Sequence, residues 1–258
     1  METMTTTIAY LLIAVALATL AGVAIAIHKL RRVHIATYQI ANDIVVTRRE
    51  TEALFGQVHA LLQLERMLDL KGGLPPMRGW AGSPDMLLTV ARHVLQTRPR
   101  TVMECSSGVS TVVIARCLQL NGDGEAHVYS LEHESAYASK TRALLEEYGL
   151  AEWATVIDAP LVDTPGEESW YSMAQVPSEP RSIDLLVVDG PPAGGSSTAR
   201  YPALPRLKSR MAEAFTVMLD DADRPGERQV VDRWLALDGR LRVERPFAEK
   251  GLAVISTT

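Results

Sequence analysis

Carboxylates close five short apolar runs in this chain. Glu104 sits near the end of Thr101–Cys105, Glu132 ends His127–Glu132, and Asp158 ends Ala154–Asp158. Asp189 ends Ser182–Asp189 and opens Asp189-Gly190-Pro191-Pro192, while Asp220 and Asp221 follow Ala214–Leu219. Burying an acid at a strand tip is costly unless it has a partner. Acids so placed can accept hydrogen bonds from paired hydroxyls, take a proton, or hold a cation through hard oxygen ligands.

The first run feeds the small polar turn Ser106-Ser107-Gly108, and the residues after it read as a helix with Ser110 or Thr111 capping its free N–H groups. A helix start favours polar or anionic groups. Glu104 beneath it repels a pyrophosphate and suits an ammonium or sulfonium group. Glu132 lies 24 residues beyond Gly108, where an acid accepts two ribose hydroxyl hydrogen bonds. Nicotinamide enzymes use the same device, so Glu132 marks a nucleoside site and not one donor. The bland alternatives are a solvated strand-end charge at Glu132, and helix caps or water ligands at Asp220 and Asp221. His133 and Glu134 read as surface residues.

Regular elements must place these groups together. Predicted strands at Thr101–Cys105, His127–Glu132, Ala154–Asp158, Ser182–Asp189, Ala214–Leu219, Arg240–Glu244 and Leu252–Ser256 alternate in their first part with helices at about Ser110–Leu120, Ser135–Tyr148 and Glu227–Leu237. A further helix starts at Ser83-Pro84-Asp85 and runs to about Gln96. Alternation predicts a doubly wound, Rossmann-like α/β fold, a seven-stranded mostly parallel sheet with ligands at the carboxyl ends of its strands. The link Arg245–Gly251 is too short for a helical crossover, so the last strand pairs antiparallel.

Glu104-Cys105-Ser106-Ser107-Gly108-Val109-Ser110-Thr111 resembles the first motif of class I S-adenosylmethionine-dependent methyltransferases, in the branch with Glu-x-Gly-Ser-Gly-x-Ser-Thr, and Asp189-Gly190-Pro191-Pro192 resembles the fourth motif of that branch. The resemblance covers residues 74–258. It implies a cofactor site of Glu104, Ser106, Ser107, Gly108, Ser110, Glu132, Asp158, Ala159 and Asp189, with Asp158 accepting from the adenine amine. Asp189 and Asp221 are the implied catalytic acids. Asp189, Asp220 and Asp221 are candidate ligands for Mg²⁺, as in catechol-type members. The departure is Ser106, where the family has glycine. Two backbone states are open there. The hydroxyl-rich turn favours an ordinary backbone with the Ser106 hydroxyl on the donor's carboxylate, over a left-handed one.

Two loops read as functional: Leu161–Arg181, holding Trp170-Tyr171 as a cover for the acceptor or as a packed segment, and the flexible Ala193–Thr198. Met77-Arg78-Gly79-Trp80-Ala81 reads as a pocket lining or a packed lead-in.

The N-terminal part is of another kind. After the tail 1–7, Ile8–Ile27 has no charged residue, and twenty residues at ~1.5 Å each cross a ~30 Å hydrocarbon core. Glu2 stands before it without Lys or Arg, while Lys29, Arg31 and Arg32 follow it. That predicts an anchor with its C-terminal side in the cytoplasm, against a cleaved signal peptide. Residues 28–73 read as a juxtamembrane helix over Val33–Leu70 and a linker. Its Leu54, Leu61 and Leu68 are seven apart, which leaves open a homodimer through this helix, but Glu65 breaks the second seam and the pattern favours an amphipathic helix leaning on the domain or the membrane surface.

A formal net charge of −5 with both signs interspersed excludes a basic nucleic-acid face. Two cysteines, Cys105 and Cys117, form no disulfide framework or zinc spacing. The leading reading is a membrane-anchored methyltransferase with a small-molecule donor and an unidentified acceptor. A non-catalytic adaptor of the same fold and a nicotinamide oxidoreductase are the competitors. The second lacks Gly-x-Gly-x-x-Gly, and a hydrolase lacks Gly-x-Ser-x-Gly.

Overall fold

A computed structural model describes residues 2–77, 82–177 and 182–257. The chain divides into two compact units, Met1–Phe55 and Gly56–Thr258. Helix α1, Glu2–Leu68, is continuous through the point where the sequence divides into an anchor and a juxtamembrane helix. No proline interrupts it, and its two glycines cost only about 1 kcal/mol each against alanine. It is one helix long and apolar enough to cross a membrane, with a mean hydropathy of 2.0 in its most apolar window and no part of that window buried.

The second unit begins at Gly56, earlier than the Leu74 boundary read from the sequence. The reason is the last turns of α1. Ala60, Leu64 and Leu68 repeat at helical spacing and are buried in the domain's own core. Arg116 ties the helix end down, its Nε donating to the Leu68 carbonyl at 2.7 Å. The Leu74 amide donates to Glu65 Oε1 at 2.7 Å. Leu68, the last residue of the seam that left a dimer open, is therefore spent inside the domain.

Helix α2 (Pro84–Thr97) and α3 (Val109–Asn121) pack on one face of the sheet, with α4 (Ser135–Glu147) beside α3. The seven-stranded sheet is built from β1 (Thr101–Cys105), β2 (His127–Glu132), β3 (Ala154–Asp158), β6 (Ile183–Val188), β7 (Met211–Asp220), β8 (Leu241–Glu244) and β9 (Leu252–Thr257). Its order is β3-β2-β1-β6-β7-β9-β8. The five strands from β3 to β7 are parallel, and β9 pairs antiparallel with both β7 and β8. The strand order reverses between β1 and β6, which places a ligand crevice outside their carboxyl ends.

Helices α5 (Ala203–Leu207) and α6 (Pro225–Leu237) contribute to a second core cluster with Met103, Leu186 and Ile255. The sequence reading missed α5, a single turn whose start follows Pro202. The segment read as a loop, covering the acceptor or packed on the domain, folds back as a ribbon of β4 (Leu161–Val162) and β5 (Trp170–Tyr171), paired antiparallel. Trp170 and Tyr171 are buried, their rings 5.0 Å apart and edge-on. Residues 78–81, read as a pocket lining, lie outside the described residues.

Candidate functional site

Glu104, on the buried strand β1, has no exposed surface. Its Oε2 accepts from Thr111 Oγ1 and from Ser130 Oγ, both at 2.6 Å. Thr111 also accepts the Gly108 amide at 3.1 Å. Glu104 thus ties β1, β2 and the first turn of α3 together, while its Oε1 is buried without a hydrogen-bond partner. Burial pushes its pKa up, and the hydroxyls of Ser110, Ser130 and Thr111 pull against that.

The turn differs from expectation at one point. Ser106 has φ +134°, and Gly108 has φ +146°. L side chains rarely take such angles, so the ordinary backbone favoured from the sequence is not what forms. The Ser106 amide donates to the Leu131 carbonyl at 3.0 Å, which holds the turn against the end of β2. Gly190 crowds in from the other side. A Cβ on Gly190 would meet Tyr171 Oη at 2.5 Å, the Cys105 carbonyl at 3.1 Å and Ser106 Cβ at 3.3 Å. The Asp189 amide donates to the Cys105 carbonyl at 3.2 Å. These contacts bring the Ser106 turn, the start of Asp-Gly-Pro-Pro and Tyr171 to one place at the β1/β6 switch. Tyr171 Oη is buried and has no partner.

Glu132 is nearly buried at the tip of β2. Its Oε2 accepts from Ser107 Oγ at 2.8 Å, and its Oε1 accepts the Glu134 amide at 3.0 Å. His133 Nδ1 lies 3.0 Å from the same Oε1, so His133 is half-buried against Glu132 and not on open surface. Ser107 Oγ also lies 3.0 Å from Thr141 Oγ1. Asp158 is paired with Arg142 at 2.6 Å, which leaves Asp158 Oδ1 buried and unpartnered. The Ala159 amide is already donated to the Glu132 carbonyl at 2.7 Å, so only its side chain and carbonyl face a ligand's needs.

At the ends of β6 and β7, Asp189, Asp220 and Asp221 each offer an oxygen within 4.8 Å of the others. Burial first, and Asp220 next, push the Asp189 pKa well up, and burial with Asp221 raises that of Asp220. The sequence reading missed what sits among them. Arg200, itself almost fully buried, places Nη2 3.1 Å from Asp221 Oδ2 and 3.4 Å from Asp189 Oδ1. Its Nη1 donates to the Asp220 carbonyl at 3.0 Å, and its Nε lies 3.7 Å from Glu227 Oε1. Arg224 adds a second contact to Asp221 Oδ2 at 2.8 Å. Arg200 follows the Gly-Gly-Ser-Ser-Thr loop, and no spacing rule points to it. Only the excess of acids over bases at the strand tips hinted that a cation was due. Asp220 Oδ1 is buried and free of hydrogen bonds. The oxygens suit a divalent cation in type and spacing. With Arg200 seated, two of the three carboxylates are already spent, so such an ion does not fit without displacing the guanidinium.

Residues 105–222 match a family described as a methyltransferase domain. Among solved structures, the chain resembles the SAH-bound Podospora anserina methyltransferase PaMTH1 with a TM-score of 0.54 and 15% identity, over 77% of this chain and 88% of that one. It resembles the Bacillus cereus O-methyltransferase in complex with SAH with a TM-score of 0.53 and 17% identity, over 79% and 91%. It resembles the Streptomyces achromogenes O-methyltransferase TomG, involved in tomaymycin synthesis and solved with SAM, with a TM-score of 0.50 and 16% identity, over 77% and 89%. No curated protein matches it in sequence. The likeness to these structures shows the methyltransferase fold, and residues 105–222 carry the matched methyltransferase domain.

Proposed function

We propose that the domain moves a methyl group from S-adenosylmethionine to an oxygen of a hydroxyl-bearing acceptor, while α1 holds the chain on a membrane. The observation that carries this reading is the convergence of Glu132, the Ser106 turn and Asp189 at the β1/β6 switch. Glu132 would exchange its Ser107 and main-chain partners for ribose hydroxyls. The buried free Oδ1 of Asp158 is an acceptor suited to the adenine amine. Glu104 supports the turn beneath the sulfonium through Thr111 and Ser130. SAH and SAM in the neighbours named above, two of which are O-methyltransferases, support the donor and the acceptor atom.

In the transfer, the acceptor oxygen forms a bond to the methyl carbon as the sulfur–methyl bond breaks. The sulfonium leaves as a neutral thioether, and the acceptor's proton goes to a carboxylate. Positioning the two reactants is the main contribution. Asp221 is held by two guanidiniums. The proton-accepting role therefore suits the free oxygen of Asp220, with Asp189 beside it.

Calorimetric titration of the full chain in detergent with S-adenosylmethionine, SAH and NAD tests the donor. Saturable binding of the first two is expected. Glu132→Ala should lose charge-assisted hydrogen bonds of roughly 1.5–3 kcal/mol, weakening binding about tenfold to a hundredfold. Binding of NAD alone would make the protein an oxidoreductase, and binding of neither donor would leave the adaptor reading.

A further inference from the structure

The Asp189–Asp220–Asp221 cluster poses a charge problem. With Glu227 it sets four carboxylates around one small buried volume, and buried carboxylates need an opposite charge. Arg200 supplies it from inside, with contacts to two of the cluster's carboxylates, to the carbonyl of the third aspartate and to Glu227.

The seat of Arg200 is built on both sides. Just before it, Thr198 Oγ1 donates to Glu168 Oε1 at 2.5 Å. Just after it, the Tyr201 carbonyl accepts from Trp234 Nε1 at 2.8 Å, and Arg233 stacks 3.3 Å from the centre of the Tyr201 ring. The loop also lies so close to α6 that a Cβ on Gly226 would collide with the Ser197 carbonyl. The glycine- and serine-rich stretch that reads as flexible is therefore clamped, and a clamped guanidinium loses little freedom in making its contacts.

We propose that Arg200 is the resident cation of this cluster: it occupies the electrostatic place of a divalent metal ion, positions Asp189 and Asp221, and leaves Asp220 Oδ1 for the acceptor. Methyl transfer then needs no metal. The acceptor needs one hydroxyl and not the two neighbouring oxygens that would chelate an ion. The catalytic consequence rests on the donor reading above; the cation claim rests on the cluster alone.

The test is Mn²⁺ binding, followed by electron paramagnetic resonance and calorimetry, on the full chain in detergent micelles as wild type, Arg200→Gln, Arg200→Lys and Asp220→Asn. Wild type should show no saturable Mn²⁺ binding up to about 1 mM, the weak end of protein cation sites. Arg200→Gln should gain at least about tenfold in affinity, and Arg200→Lys, which keeps the charge, should behave as wild type. A fold defect in Arg200→Gln would move the decision to wild type, Arg200→Lys and Asp220→Asn. Saturable Mn²⁺ binding to wild type that Asp220→Asn abolishes would overturn the proposal, and so would a folded Arg200→Gln with unchanged binding. SAH titrated into the same wild-type sample separates the two claims, since failure to bind it with and without Mn²⁺ sinks the donor reading whatever the metal result.

Discussion

Ser106 is held at a φ that glycine takes freely and serine does not. Such residues cost on the order of 1–3 kcal/mol and persist only where the surroundings force them. Here the surroundings are the Leu131 carbonyl on the Ser106 amide and Gly190, where an added Cβ would come within 3.3 Å of Ser106 Cβ. Ser106→Gly should therefore raise the unfolding midpoint, by about 1 kcal/mol of stability, and should not weaken SAH binding. A lower midpoint in thermal denaturation would sink the strain account, and weaker SAH binding would restore a role for the hydroxyl. The sequence showed that this position was special, because glycine is missing from a glycine motif, but residue types carry no dihedral angle. Glu104 gives a second prediction. Its folded pKa is raised, so above the ordinary carboxylate value of about 4.3 the native state keeps a proton that the unfolded state has lost. Stability contributed by this proton falls as pH rises through the window up to the folded value. Glu104→Gln keeps an oxygen for Thr111 and Ser130 and puts an amide in place of the orphan Oε1. It should be more stable than wild type at neutral pH, with a shallower fall of the denaturation midpoint as pH rises above the ordinary carboxylate range. Equal slopes in the two chains would exclude Glu104 as a source of that pH dependence.

The elements divide into those whose position is local and those fixed by packing. Strands β1, β2 and β3 begin and end where their sequence runs do, because each is an apolar run with an acid near its end and a turn behind it. Helix α1 is different. Its last turns read in sequence as an amphipathic helix leaning on the domain or the membrane surface, and the fold shows that Leu64 and Leu68 lean on the domain and enter its core. A fragment starting at Leu74 should lose this packing, the Leu68 carbonyl partner of Arg116 and the Glu65 clamp on the Leu74 amide. Removing two buried leucines costs about 2–5 kcal/mol each, comparable to the stability of a whole domain. The fragment from Gly56 should give a cooperative melt, and the one from Leu74 should aggregate or melt far lower. Equal midpoints would return the domain boundary to Leu74. The acid cluster shows the same division. Asp189, Asp220 and Asp221 were legible because strand ends are local, whereas Arg200 was not, since it reaches them only through the fold of a loop that reads as mobile. Trp170 and Tyr171 were legible as special aromatics, but their burial in a ribbon depends on pairing with Leu161 and Val162 across seven intervening residues.

At the scale of the whole chain, a domain of a fold shared with methyltransferases follows a helix apolar enough to cross a bilayer. The orientation has a physical argument behind it. Lys and Arg close to a span hold their side on the cytoplasmic face, and only Lys29, Arg31 and Arg32 lie close to the Ile8–Ile27 stretch, with Glu2 before it. The donor proposed for the domain is made in the cytoplasm, so the activity requires the same orientation. A reporter fused after Thr258 should read cytoplasmic, and the protein should stay with membranes through a high-salt wash, because burial of apolar surface is not screened by ions. Replacing Lys29, Arg31 and Arg32 with Gln while adding three lysines before Ile8 should turn a measurable fraction of chains around, since the charge bias and not the domain sets orientation. A reporter on the outer side in the unaltered chain would defeat both the orientation and the donor supply. Release by salt alone would leave α1 as a surface helix held by charge.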